Sequence, residues 1–241
     1  MNIMNKIRAR AENNSAHEGV TIAFLGDSVT QGCFELYKTA SGGIETIFDK
    51  NSAYHRYLDQ ILTMLYPNVP VNIINAGVSG GNAVHGLERL ERDVLRHQPD
   101  LTVVCFGLND SGNGLEGIGK YTDALEAIFT KLKEAGSEVI FMTPNMMNTY
   151  VSVHLTDEYV REVAERIGNV QLDGILDKYM EAAVAVCEKC GVKVCDCYAK
   201  WKRLAKNGVD TTSLLSNHIN HPTREMNWLF AVSLIDAILD D

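Results

Sequence analysis

The sequence predicts an α/β fold built on an open, doubly wound parallel sheet. Two observations predict it. Five short apolar runs rich in β-branched residues alternate with longer stretches of helical periodicity. That is the pattern of β-α-β units with helices on both sheet faces. The polar, glycine-containing motifs follow the ends of these runs, and in such sheets ligands bind beyond the carboxyl ends of the strands.

The strands are expected over 20–25, 71–76, 101–106, 138–143 and 192–196. Between them, Ser52 is placed to cap a helix over 52–65 that stops before Pro67. The stretch 83–97 puts Val84, Leu87, Leu90, Val94 and Leu95 on one face with charged residues opposite. Over 119–135, Tyr121, Leu125, Ile128, Phe129 and Leu132 recur at helical spacing, and Gly136 closes the helix. Helices over 172–190 and 223–239 complete the set. Residues 1–18 form a polar extension expected to be helical. The segments 33–51 and 145–171 read as long irregular loops, of the kind that shape substrate pockets. A single domain over 1–241 accommodates all of this.

Composition narrows the function. Apolar residues make up 46% of the chain, enough for one sizeable core. The formal charge of -9 argues against general affinity for nucleic acid or anionic membrane. No run approaches the roughly 20 apolar residues of a membrane-spanning helix, and the polar N-terminus lacks the apolar centre of a signal peptide. The expected location is cytoplasmic, with the six cysteines as free thiols. The sequence leaves homo-oligomerisation open.

Four motifs carry chemistry. In Gly26-Asp27-Ser28-Val29-Thr30-Gln31-Gly32, a serine stands straight after a buried strand, where an attacking oxygen must be; a plain turn capped by Asp27 or Ser28 is the alternative. Asn75-Ala76-Gly77-Val78-Ser79-Gly80-Gly81-Asn82 offers free backbone donors, and it contains a Gly-x-Ser-x-Gly pattern that makes Ser79 a rival nucleophile. Gly107-Leu108-Asn109-Asp110 supplies a neutral amide donor, or simply a turn. Asn217-His218-Ile219-Asn220-His221-Pro222 supplies an imidazole to act as base, or a pair of surface histidines.

Taken together and in order, these blocks resemble the GDSL, or SGNH, hydrolase family across nearly the whole chain. The resemblance implies a flavodoxin-like, three-layer α/β/α sandwich with a five-stranded parallel sheet. It implies Ser28 as nucleophile and His221 as general base. It implies an oxyanion hole from the Ser28 and Gly80 N–H groups and the Asn109 side chain, and it demotes Ser79. The implied activity is that of a serine esterase, acting through an acyl-enzyme on acetyl or other O-acyl esters of small soluble or carbohydrate substrates, with no cofactor. A lipase- or thioesterase-type acylhydrolase, or a catalytically weak acyl-glycan binder, is the alternative. A nucleotide or flavin module is disfavoured because no phosphate-binding glycine motif follows the first strand.

One position departs from the family pattern. Where Asp is usual, three residues before the histidine, stands His218, preceded by Asn217. In a serine-protease triad, an Asp→Asn change costs roughly 10⁴ in kcat. The favoured reading is a Ser-His dyad with His221 oriented by a backbone carbonyl or by Asn217. An acid from elsewhere, such as Asp210, or low activity are the other two. Cys187, Cys190, Cys195 and Cys197 have some zinc-like spacing, but core thiols are the stronger reading, so no metal is expected. Met142, Met146 and Met147 are read as a weak candidate lining for an apolar pocket.

Overall fold

The central strand β1 (Val20–Gly26) is buried almost throughout, as a strand covered on both faces must be. It pairs in parallel with β4 (Val71–Gly77) on one side and β5 (Leu101–Cys105) on the other. Next come β6 (Glu138–Met142) and β7 (Lys193–Cys195), giving the sheet order β4-β1-β5-β6-β7. The computed structural model describes residues 2–240, so Met1 and Asp241, the ends of the expected 1–241 domain, lie outside the described residues.

Register puts Phe24, Val103 and Ile140 on one face, and Leu25, Val104 and Phe141 on the other. On the first face, Phe24 meets Tyr54 of α3 (Tyr54–Leu65), which in turn meets Phe230 of α10 (Arg224–Leu239). On the second, Phe141 meets Phe129 of α6 (Ile118–Glu134). Helix α6 packs between α4 (Ala83–Glu88) and α8 (Ile175–Cys190). The result is the expected three-layer sandwich around one large apolar cluster. The polar extension contributes α1 (Asn2–Glu12), whose Ile3, Met4 and Ile7 are buried in that cluster.

Several elements differ from expectation, each for a local reason. The segment 33–51 holds a hairpin, β2 (Cys33–Lys38) and β3 (Ile44–Phe48), which turns through Gly42 at φ 87°. Within 145–171 lies most of α7 (Glu158–Leu172), capped by Asp157 through the Val160 N–H. Its inward face, Val160 and Ala164, packs with Leu155, Ile219 and the hairpin's Leu36 and Ile44 in a second small core. Ser52 does not cap α3: its hydroxyl bonds Asp49, and α3 starts after Ala53.

The stretch 83–97 is not one helix. It breaks into α4, then α5 (Leu90–Asp93) and a short 3₁₀ turn over Leu95–His97. The break falls at Arg89, whose guanidinium turns inward to the carbonyls of Ala76 (2.6 Å) and Gly26 (2.8 Å). It thereby ties together the ends of β4 and β1. After β7 the chain enters α9 (Cys197–Lys206), capped by Asp196.

Candidate active site

Everything chemically distinctive collects at the carboxyl ends of β1, β4 and β5, where the strand order reverses on either side of β1. Asp27 follows the first strand and caps the one-turn helix α2 (Ser28–Gln31), its Oδ1 accepting the Val29 N–H at 2.9 Å. Gly77 lets β4 approach this turn: a Cβ there would sit 2.2 Å from the Gln31 nitrogen. Two glycine-bearing strand ends and one short helix thus hold Ser28 at the sheet rim.

The structure brings Ser28 and His221 together, 193 residues apart in sequence, with Oγ 3.0 Å from Nε2. The opposite ring nitrogen, Nδ1, lies 2.9 Å from the Phe34 backbone carbonyl. A carbonyl can only accept, so Nδ1 carries the proton and Nε2 is left as the acceptor for the serine hydroxyl. Both side chains are largely buried. Burial pushes the His221 imidazole below its usual value of 6.5, and the bond to the Phe34 carbonyl offsets part of that.

Asn217 shapes the turn that carries His221. Its Oδ1 accepts the backbone N–H groups of Ile219 (3.0 Å), Asn220 (2.9 Å) and His221 (2.9 Å). It acts on the main chain, not on the imidazole. His218, at the family's acid position, has φ 54° and stacks on His154 with ring centroids 5.1 Å apart. Asp210 is engaged elsewhere: it accepts the Tyr150 hydroxyl at 2.6 Å and the Thr212 and Ser213 N–H groups. Neither residue bonds the His221 ring among the described hydrogen bonds.

Three donors lie in the segments that follow β1, β4 and β5. The Ser28 N–H opens α2 and so has no acceptor inside the helix. Gly80, at φ 74°, sits in the left-handed region, and among the described residues its N–H bonds no backbone or side-chain acceptor. Asn109 Nδ2 spends one hydrogen on the Gly81 carbonyl at 2.8 Å and has a second to offer. Ser79 is exposed, and no described hydrogen bond ties its hydroxyl to an imidazole.

Beneath lies a buried acid pair. Burial raises the Asp27 carboxyl to about 7, and neighbouring Asp110 adds to the rise while the Val29 N–H opposes it. Asp110, which accepts the Ala83 N–H, is itself raised to about 6 by burial. A carboxyl with a folded value above its unfolded 3.8 favours folding when protonated and loses that contribution as pH rises toward 7. Asp27→Asn keeps the cap acceptor without the charge. Its stability relative to wild type is expected to rise between about pH 4 and 7, by up to about 1.4 kcal/mol per pH unit. Denaturant melts of both proteins across that range measure the difference; a flat difference would contradict the buried charge.

The cysteines are all free. Cys195 ends β7 and Cys197 begins α9, both buried with their sulfurs 3.8 Å apart. Among the described residues no three His, Cys, Asp or Glu side chains cluster as a metal site requires. Met142, Met146 and Met147 are buried in the main core. The Phe34 contact is of the kind the favoured reading expected, a backbone carbonyl on the imidazole; the sequence could not say which one, because a backbone acceptor carries no side-chain signature.

A profile of the GDSL-like Lipase/Acylhydrolase family matches residues 24–229, most of the chain. This protein belongs to that family. It is accordingly a carboxylic ester hydrolase by descent. An acetylxylan esterase of Geobacillus stearothermophilus is 26% identical over 171 residues, covering 64% of this chain and 76% of that one. An arylesterase of Vibrio mimicus is 29% identical over 119 residues, or 46% and 58% of the two chains. In solved structures the fold matches an acetylxylan esterase of Geobacillus stearothermophilus (TM-score 0.67, 18% identity, 93% of this chain and 96% of that one). It also matches a hydrolase from the Lake Arreo metagenome (TM-score 0.66, 19% identity, 91% and 95%). Among the described residues no helix is long and apolar enough to cross a membrane.

Proposed function

We propose that this chain is a serine esterase that removes acyl groups, acetyl foremost, from carbohydrate or small soluble esters. Ser28 is the nucleophile and His221 the general base. The carrying observation is the 3.0 Å Ser28–His221 contact, with the far side of the ring bonded to the Phe34 carbonyl. The acetylxylan esterase relative supports acetylated carbohydrate as the substrate class. The free thiols favour a reducing, cytoplasmic setting.

In this reading, Nε2 of neutral His221 takes the Ser28 proton as Oγ bonds the ester carbonyl carbon. The Ser28 and Gly80 N–H groups and the Asn109 amide stabilise the resulting oxyanion. His221 returns the proton to the departing alcohol oxygen, leaving acyl-Ser28. Water, deprotonated by His221, then attacks the acyl carbon, and Ser28 leaves with the proton. The Phe34 carbonyl is neutral, so it stabilises the imidazolium less than a carboxylate would. It does hold the productive tautomer, whose loss is what makes an Asp→Asn change so damaging in a serine-protease triad.

Mass spectrometry after mixing with p-nitrophenyl acetate is expected to find one acetyl group on the peptide carrying Ser28. Acetylation only elsewhere would overturn the assignment. An acyl-chain series beside acetylated xylose and other sugar acetates then tests the substrate class, and a preference for long chains would favour a lipase.

The base works only when neutral, and burial lowers its pKa. The acid limb of kcat/KM, which reports the free enzyme, is therefore expected below pH 6.5. A profile from pH 4 to 8 checks this, and a limb above pH 7 would contradict it.

A further inference from the structure

We propose that Arg224 is a positioning residue that buckles the β2–β3 hairpin to the His221 segment, holding the Phe34 carbonyl against the imidazole. The inference rests on the Ser28–His221 reading above. The carbonyl is available because the hairpin register is irregular between Cys33 and Leu36. In a regular ladder every main-chain acceptor faces its partner strand, whereas an irregularity of this kind re-aims one. A two-stranded hairpin is marginal by itself, and the small second core holds this one only through Leu36 and Ile44, beyond Phe34. Something must fix Phe34 relative to His221.

Arg224 has the right connections for this. It opens α10, only three residues after His221, so it moves with the histidine's own segment. Its guanidinium lies 4.3 Å from the Phe34 ring centroid, a cation–π contact. One side of the fork grips the Glu35 carboxylate through both Nη atoms, Nη2 at 3.1 Å. Nε bonds Asp49, just past β3, at 3.0 Å. Asp49 in turn donates its N–H to the Gly32 carbonyl, at the end of the Ser28 helix. One side chain therefore contacts the ring of the residue whose main-chain carbonyl faces His221, the next residue on the same strand, and the segment closing the hairpin. Bidentate arginine–carboxylate geometry fixes orientation in a way a single point charge does not. The Arg224 bond holds Glu35 ionised, lowering its carboxyl below the ordinary range.

Losing this buckle shifts the carbonyl from Nδ1 without touching the substrate. The expected result for Arg224→Gln is a kcat about 10- to 100-fold lower, with KM changed less than about twofold. The His221 Nδ1–H proton resonance should shift or broaden in ¹H–¹⁵N spectra. Arg224→Lys is expected to recover part of kcat, since it keeps the charge but not the fork. Glu35→Gln should move both readouts in the same direction and serves if Arg224→Gln does not fold. Wild-type kcat in a folded Arg224→Gln, or a kcat loss with an unchanged Nδ1–H resonance, overturns the proposal. The resonance does not depend on turnover. It therefore tests the buckle even if Ser28→Ala retained activity and the esterase assignment itself failed.

Discussion

Replacing Ser28 by alanine is expected to lower kcat for p-nitrophenyl acetate by at least about 10⁴-fold while leaving the protein folded. The size follows from what the hydroxyl does. No other group within reach of His221 Nε2 is a nucleophile in the described contacts, so the acyl-enzyme route closes altogether. What remains is catalysis by binding and oxyanion stabilisation alone, which in serine hydrolases leaves roughly 10³–10⁴ over water. Folding should survive, because the α2 cap comes from Asp27 and not from Ser28. His221→Ala should cost a similar factor, and the double variant little more, because the two residues act as one unit. Steady-state kinetics of the three variants test this. Full activity in Ser28→Ala would overturn the assignment and return Ser79 to consideration.

The second large effect is expected at Asn109. Asn109→Ala should lower kcat about 10²- to 10³-fold, the range for loss of one oxyanion donor. KM should stay near wild type, since the charge on the oxygen develops only in the transition state. The amide also bonds the Gly81 carbonyl, so its loss frees the loop bearing the Gly80 donor and pushes the effect to the upper part of that range. Asn109→Asp should be worse, because a carboxylate there repels the oxyanion. A loss confined to KM would show instead that Asn109 only shapes the binding surface.

Periodicity and turn residues made the framework legible in the sequence. The runs at 20–25 and 101–106 became buried central strands because β-branched residues without alternation fit a strand covered on both faces, while 71–76 became the more exposed edge strand β4. Two errors have one cause. Hairpin 33–48 and helix α7 resemble loops in sequence because part of their packing is confined to a small second core, although Ile167 and Val170 of α7 also reach the main one. Periodicity in a single segment cannot reveal so small a satellite cluster. The helix over 83–97 failed differently. Its apolar spacing is real, but Arg89 gains more from the carbonyls at the strand ends than from continuing the turn.

By itself, then, the sequence determined the parallel sheet, the helices on its two faces and the candidate residue types for acyl transfer at its rim, since each depends on local order along the chain. Only the tertiary structure decided how His221 is held. The acceptor facing Nδ1 is a main-chain carbonyl at Phe34, 187 residues away. A backbone acceptor is present at every position and differs between positions only in where the fold aims it. Sequence reasoning could weigh a backbone carbonyl only as a class, and the side chains of His218, Asn217 and Asp210 by position. The fold turned His218 and Asp210 to other partners, set Asn217 on the main chain of the His221 turn and left the imidazole to Phe34.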